Sequence, residues 1–117
     1  MIEFYGYPRC STCRKAEKAL KEMGHSLKTS DITLTPPSRE TLQSVLKSGR
    51  YQVKDLLNTS GEVYRALGLK DKIKTMPESQ ILKLLSENGK LVKRPLAIDG
   101  NRVTVGYKEG DFRKVWG

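Results

Sequence analysis

The stretch YPRCSTCRKAEKAL (7–20) carries both cysteines of the chain, Cys10 and Cys13, and sets them where a strand gives way to a helix. Before it, IEFYGY (2–7) is short and rich in β-branched and aromatic residues, which predicts a strand, and Pro8 ends it. After it, Ala16, Ala19, Leu20 and Met23 recur at helical spacing between Cys13 and Met23, and Gly24 stops the helix. SLKTSDITL (26–34) alternates and predicts a second strand. Two strands joined through a helix run parallel, with a right-handed crossover. A βαβ unit with a C-x-x-C at its first turn is a narrow starting condition for any fold.

The rest of the chain reads as helices followed by a hairpin. Ser38 is the expected N-cap of a helix in TPPSRETLQSVLKSG (35–49); Thr41 stands at the N3 position, and Gly49 ends it. VKDLLNTSGEVYRALGLKDKIKTM (53–76) predicts short helices broken at Asn58–Gly61 and at Gly68, with Asn58 or Thr59 capping the helix that holds Tyr64 and Leu67. PESQILKLLSENG (77–89) begins at Pro77 and closes at Gly89. PLAIDGNRVTVGY (95–107) predicts two strands around Asp99-Gly100-Asn101. A last short helix in 108–117 would turn Phe112, Val115 and Trp116 inward. The order β-α-β, helices, β-β, α gives an α/β chain with a small sheet. It fits one thioredoxin-like domain over 1–117, with residues 38–89 as a helical insertion.

Size and composition agree with one soluble domain. The chain has 117 residues, 37% hydrophobic and 30% charged, enough for a core and short for two domains. No apolar run approaches the roughly 20 residues of a membrane span. MIEFYGYPRC shows no basic segment followed by an apolar one, so no signal peptide and a cytoplasmic location are expected. In that compartment a C-x-x-C points to catalysis or metal binding more than to a structural disulfide. The net charge of +9 admits nucleic acid, an acidic partner or a small anion. The lysines are dispersed at helix-surface spacing, such as Lys15, Lys18 and Lys21, and no aromatic-rich strand offers a base-stacking surface. Direct nucleic-acid binding is therefore not expected.

The cysteine pair has three readings: a redox couple, two metal ligands, or two residues without a role. Zinc needs three or four ligands; the chain offers two cysteines and one histidine, His25, so carboxylates would have to complete a site. His25 itself reads as an ordinary surface residue. The redox reading places Cys10 in the loop and Cys13 at the helix start, a spacing a disulfide can close. First-turn amides point at such a loop sulfur and favour a thiolate. A free thiol titrates near about 8.5, and bringing one to about 7 takes roughly 2 kcal/mol. A helix end supplies only about 0.3–1 kcal/mol, so a second positive group is expected. Arg14 would project away; Arg94, immediately before Pro95, is the candidate.

CSTCRKA, PPSRE, LLNTSGEVYRALGLKDK and LVKRPLAIDGNRVTVGY together resemble the ArsC/Spx family nearly end to end, from Ile2 to about Trp116. That family includes glutaredoxin-coupled arsenate reductases and redox-sensing transcription regulators of the Spx and MgsR type. The resemblance implies a thioredoxin-like (glutaredoxin-like) four-stranded mixed sheet with a helical insertion, and a cis proline at Pro95 facing the active-site cysteine. It puts the nucleophile on Cys10, a disulfide partner on Cys13, and the thiolate- or oxyanion-binding arginine on Arg94. Ser11 and Thr12, in the turn with Cys10, and Pro95, through its backbone, are the implied substrate contacts. Of the three arginines that hold the oxyanion in the reductases, the first falls on Asn58 and the third on Val105. Losing two charge-assisted hydrogen bonds at about 1.5–3 kcal/mol each implies an arsenate affinity lower by roughly 10²–10⁴, unless Arg65 or Arg102 moves in.

Two functions follow from the resemblance. One is a thiol–disulfide oxidoreductase related to arsenate reductase: Cys10 attacks, Cys13 resolves, and no metal or nucleotide cofactor is needed. Its partners would be a small-molecule thiol or oxyanion, with glutathione, bacillithiol or a redoxin of the thioredoxin or glutaredoxin type as reductant. The other is a Spx-like regulator that binds the C-terminal domain of the RNA polymerase α subunit. A monomer is expected in both. The lack of a long charged tail after Trp116 leans toward the enzyme.

Overall fold

A computed structural model of the protein describes all residues, 1–117. Its elements in chain order are β1 (Ile2–Gly6), α1 (Ser11–Glu22), β2 (Leu27–Asp31), α2 (Arg39–Lys47), α3 (Glu62–Ala66), α4 (Leu69–Lys72), α5 (Glu78–Glu87), β3 (Leu96–Asp99), β4 (Arg102–Val105) and α6 (Glu109–Trp116). Two 3₁₀ turns, Val53–Leu56 and Gly89–Leu91, precede α3 and β3. The strands form one mixed sheet ordered β2-β1-β3-β4. β1 and β2 are parallel, with Phe4 opposite Thr29. β1 and β3 are antiparallel, as are β3 and β4. This is the α/β, thioredoxin-like architecture expected from the sequence.

Strand alternation divides the apolar residues between two faces. Ile2, Phe4 and Ala97 pack with Ala16 and Leu20 of α1 and with Phe112, Val115 and Trp116 of α6. Leu96, Ile98 and Val103 face the other way, into a second core with Leu42, Val45, Ile81, Leu82 and Leu85 from α2 and α5. The sheet is thus the middle of three layers, and β1, at its centre, carries the start of α1 to the top edge. The inward placement expected for Phe112, Val115 and Trp116 holds. Trp116 donates its indole N–H to the buried Thr104 hydroxyl at 3.1 Å, which gives each polar group a partner out of water.

Several boundaries differ from the sequence reading. The second strand stops at Asp31, not Leu34: the Asp31 carboxylate accepts from the Thr33 amide at 2.9 Å and from the Thr33 hydroxyl at 2.6 Å. This local Asp turn competes with the ladder and ends it. α1 begins two residues before Cys13, and α5 begins after Pro77. Gly89 does not close α5, whose C-cap is Asn88. It opens the next 3₁₀ turn, and a Cβ there would lie 1.7 Å from the Ile32 carbonyl oxygen. Its role is close approach of two backbones. Ser38 does cap α2, accepting from the Thr41 amide at 3.1 Å.

Candidate active site at the first helix entrance

The loop between β1 and α1 closes on itself. The Cys10 amide donates to the Tyr7 carbonyl at 3.0 Å. Cys10 then adopts an extended conformation as the N-cap of α1, and its sulfur accepts the Cys13 amide at 3.2 Å. A cysteine sulfur occupies the position usually taken by a serine, threonine or aspartate oxygen. The same contact that starts the helix therefore aims a peptide N–H at Cys10 Sγ. Gly6 permits the close seating of the helix: a Cβ there would meet the Phe4 ring at 2.9 Å and Cys13 Cβ at 3.4 Å.

The two cysteines sit in unlike surroundings. Cys10 is half-buried and Cys13 is 3% exposed; both are free thiols. Burial pushes the Cys13 thiol up to about 12, helped by its hydrogen bond to Cys10, while the Tyr7 backbone and the Arg94 charge oppose the shift. At pH 7 only roughly one Cys13 in 10⁵ would be thiolate on that value. Cys13 is thus held as a protonated thiol against Cys10. Ser11 and Thr12 form the exposed first turn beside Cys10.

Arg94 and Pro95 enter from the other side of β1, just before β3. The Arg94–Pro95 peptide is cis; Pro95 is buried and its carbonyl accepts the Gly106 amide at 2.8 Å. Arg94 makes no hydrogen bond to Cys10. Its guanidinium lies over the Tyr7 ring, 5.3 Å from the centroid, a favourable cation–π position. Its charge reaches Cys13 and also Asp31, whose carboxyl is held below its ordinary value chiefly by the Thr33 hydroxyl and amide.

Two cavities flank the loop. One, about 340 Å³, lies between α1 and β2 and is lined by residues including Cys13, Arg14, Glu17 and Asp31. The other, about 240 Å³, is lined by residues including Tyr7, Asn58, Glu62, Lys90 and Arg94. Asn58 is not the cap of α3, which is Gly61 without a side-chain bond. Its amide instead donates to the Lys90 carbonyl at 3.3 Å. Val105 donates its backbone N–H to the Tyr51 hydroxyl at 3.2 Å. Neither Arg65 nor Arg102 moves in beside Asn58 or Arg94. Arg102 pairs with Asp99 at 3.2 Å and lies over Trp116, while Arg65 is exposed on α3 and lines neither cavity. No three side chains of His, Cys, Asp and Glu gather as metal ligands, and His25 is hydrogen-bonded to the Trp116 carbonyl.

The structure sets Cys10, Cys13 and Arg94 around one loop with Pro95 beside them, and it adds Tyr7, Asp31, Glu62 and Lys90 to the walls of the flanking cavities, which the sequence did not single out. Tyr7 had a usable signal, an aromatic residue directly before Pro8 and the cysteine turn. Lys90 had none, being one of 22 lysines and arginines.

The geometry has close relatives. The chain is 45% identical to the uncharacterized protein YusI of Bacillus subtilis, over 98% of each chain. It is 30% identical to the regulatory protein MgsR of the same organism, over 97% of this chain and 89% of the other. It is 28% identical to the global transcriptional regulator Spx of Listeria innocua, over 97% and 86%. Among solved structures, an ArsC family-related protein from Bacteroides fragilis superposes with a TM-score of 0.91 at 40% identity, covering 97% and 96%. One from Streptococcus mutans, named a possible arsenate reductase, superposes at 0.87 and 36% identity, covering 97% and 98%. The ArsC family model matches residues 5–115, and with the cysteine turn, the cis proline and the sheet order in place, this chain belongs to the ArsC family.

Proposed function

We propose that the protein is a thiol–disulfide oxidoreductase of the arsenate reductase-like kind, with Cys10 as nucleophile and Cys13 as resolving thiol. The observation that carries this reading is the unequal pair: Cys10 half-exposed at the helix cap with a peptide N–H on its sulfur, Cys13 buried behind it as a thiol. The Cys10 thiolate attacks one sulfur of a disulfide R–S–S–R, forms Cys10–S–S–R and expels RS⁻. Cys13 then gives its proton to a departing thiolate and attacks the Cys10 sulfur. The Cys10–Cys13 disulfide forms and the second RS⁻ leaves. A small thiol or a redoxin would return two electrons by the reverse exchange. Arg94 supplies positive charge beside the pair, and Ser11, Thr12 and the Pro95 backbone form the contact surface for the incoming group. Arsenate is a poor substrate on this reading, because Asn58 and Val105 stand where two guanidinium groups would be needed.

The test is trapping by mass spectrometry. Cys10→Ser is expected to abolish disulfide exchange. Cys13→Ser is expected to stall with one small thiol attached to Cys10. Full turnover in Cys10→Ser would end this reading.

A second reading is supported by the similarity to MgsR and Spx, both named as regulators. The same disulfide would then switch binding to the RNA polymerase α C-terminal domain. A pull-down against that domain, with the pair reduced and oxidised, is expected to capture the protein in one state; capture in neither disposes of it.

A further inference from the structure

The cavity beside the Tyr7 ring has a charge pattern of which the proposed exchange uses only Arg94. Lys90 and Arg94 contribute two positive side chains to its wall and Glu62 one negative side chain. None of the three has an ion-pair partner within the protein, although five ion pairs form elsewhere on the surface. The wall is also tied together. Asn58 bonds the Lys90 carbonyl through its side chain and the Leu91 carbonyl through its backbone N–H, at 2.8 Å. The Gly61 amide returns to the Asn58 carbonyl at 3.2 Å, one residue before Glu62. The turn that carries Lys90 and the turn that leads into Glu62, the first residue of α3, are therefore held to each other. Tyr7 joins the cavity to the cysteine loop, since it lines the one and accepts the Cys10 amide of the other.

A pocket for a bare oxyanion would not carry a free carboxylate in its wall, because like charge opposes binding. Two cations and one carboxylate lining one cavity match a ligand that bears both carboxylate and ammonium. We infer that this cavity holds the amino-acid end of a small thiol or disulfide, with Glu62 on the ligand's ammonium and Lys90 and Arg94 on its carboxylate, so that its sulfur is presented to Cys10. The inference rests on the exchange reaction proposed above and names its substrate class. It assigns Glu62 and Lys90 as specificity-determining residues, and it adds no step to the sulfur chemistry.

Three disulfides separate the charges: cystine with both groups, cystamine with ammonium only, and 3,3′-dithiodipropionate with carboxylate only. The readout is the rate of mixed-disulfide formation on Cys10 in Cys13→Ser protein, at fixed ionic strength. Glu62→Gln is expected to slow attack on cystine and cystamine about two- to fivefold and to leave dithiodipropionate unchanged or faster, the range of a partly exposed ion pair. Lys90→Gln is expected to slow cystine and dithiodipropionate by a similar factor and to spare cystamine. Lys83→Gln, on the exposed side of α5, changes net charge equally and is expected to have no effect. Variants that match the parent on all three disulfides, or equal effects from Lys90 and Lys83, overturn the inference. If uncharged 2-hydroxyethyl disulfide reacts at Cys10 while the charge variants are silent, the exchange reaction stands and only this pocket fails. If no disulfide reacts at Cys10, both fail.

Discussion

Cys13 couples the site to stability as well as to chemistry. Burial, which disfavours the thiolate, pushes its thiol up to about 12 in the folded chain, well above the ordinary thiol range. Above pH 9 the unfolded chain loses this proton and the folded chain keeps it. The stability due to the buried thiol is thus complete below about pH 9 and falls as pH rises toward 12. The slope is at most about 1.4 kcal/mol per pH unit for one proton. Denaturant unfolding from pH 8 to 11 is expected to show a shallower alkaline loss for Cys13→Ala than for the parent chain; identical slopes would mean that Cys13 titrates normally. At this scale the sequence was half legible. The C-x-x-C spacing identified both sulfurs, but which of them is buried depends on how α1 packs through Ala16 and Leu20 against Phe4, a three-dimensional fact.

Elements were legible where periodicity and caps agree. α1, α2, α5 and α6 follow from apolar spacing, and the Ser38 cap from residue type. Misreadings fall where a side chain or a backbone contact from elsewhere decides. Asp31 cuts β2 short through Thr33, and Asn58 looks like a helix cap yet serves Lys90. Gly89 is the sharpest case. The sequence offers a helix stop, whereas the fold needs a residue without a side chain against the Ile32 carbonyl, only 1.7 Å from where a Cβ would be. Because the obstacle is backbone, Gly89→Ala must shift the turn before β3 and is expected to cost at the upper end of about 1–3 kcal/mol or more. Chemical denaturation measures this directly. A loss under about 0.5 kcal/mol would show that the turn can move freely.

Across the whole molecule, three layers bring distant pieces of sequence to one edge. β1 delivers the cysteine turn, the approach to β3 delivers Arg94 and Pro95, and the turn at 58–61, the start of α3 and the turn at 89–91 deliver the charged cavity. The βαβ opening and the closing hairpin predicted the sheet; no local pattern could predict that Lys90 and Glu62 would face one space. No helix is long and apolar enough to cross a membrane. The account depends on a division of labour between two sulfurs three residues apart, and alkylation by neutral iodoacetamide as a function of pH, resolved by peptide mass spectrometry, tests it most directly. Cys10 is expected to be modified first, while Cys13 lags it and reacts only at markedly higher pH, because burial holds it as a thiol. Modification of Cys13 first, or of both residues with the same pH dependence, would contradict the account.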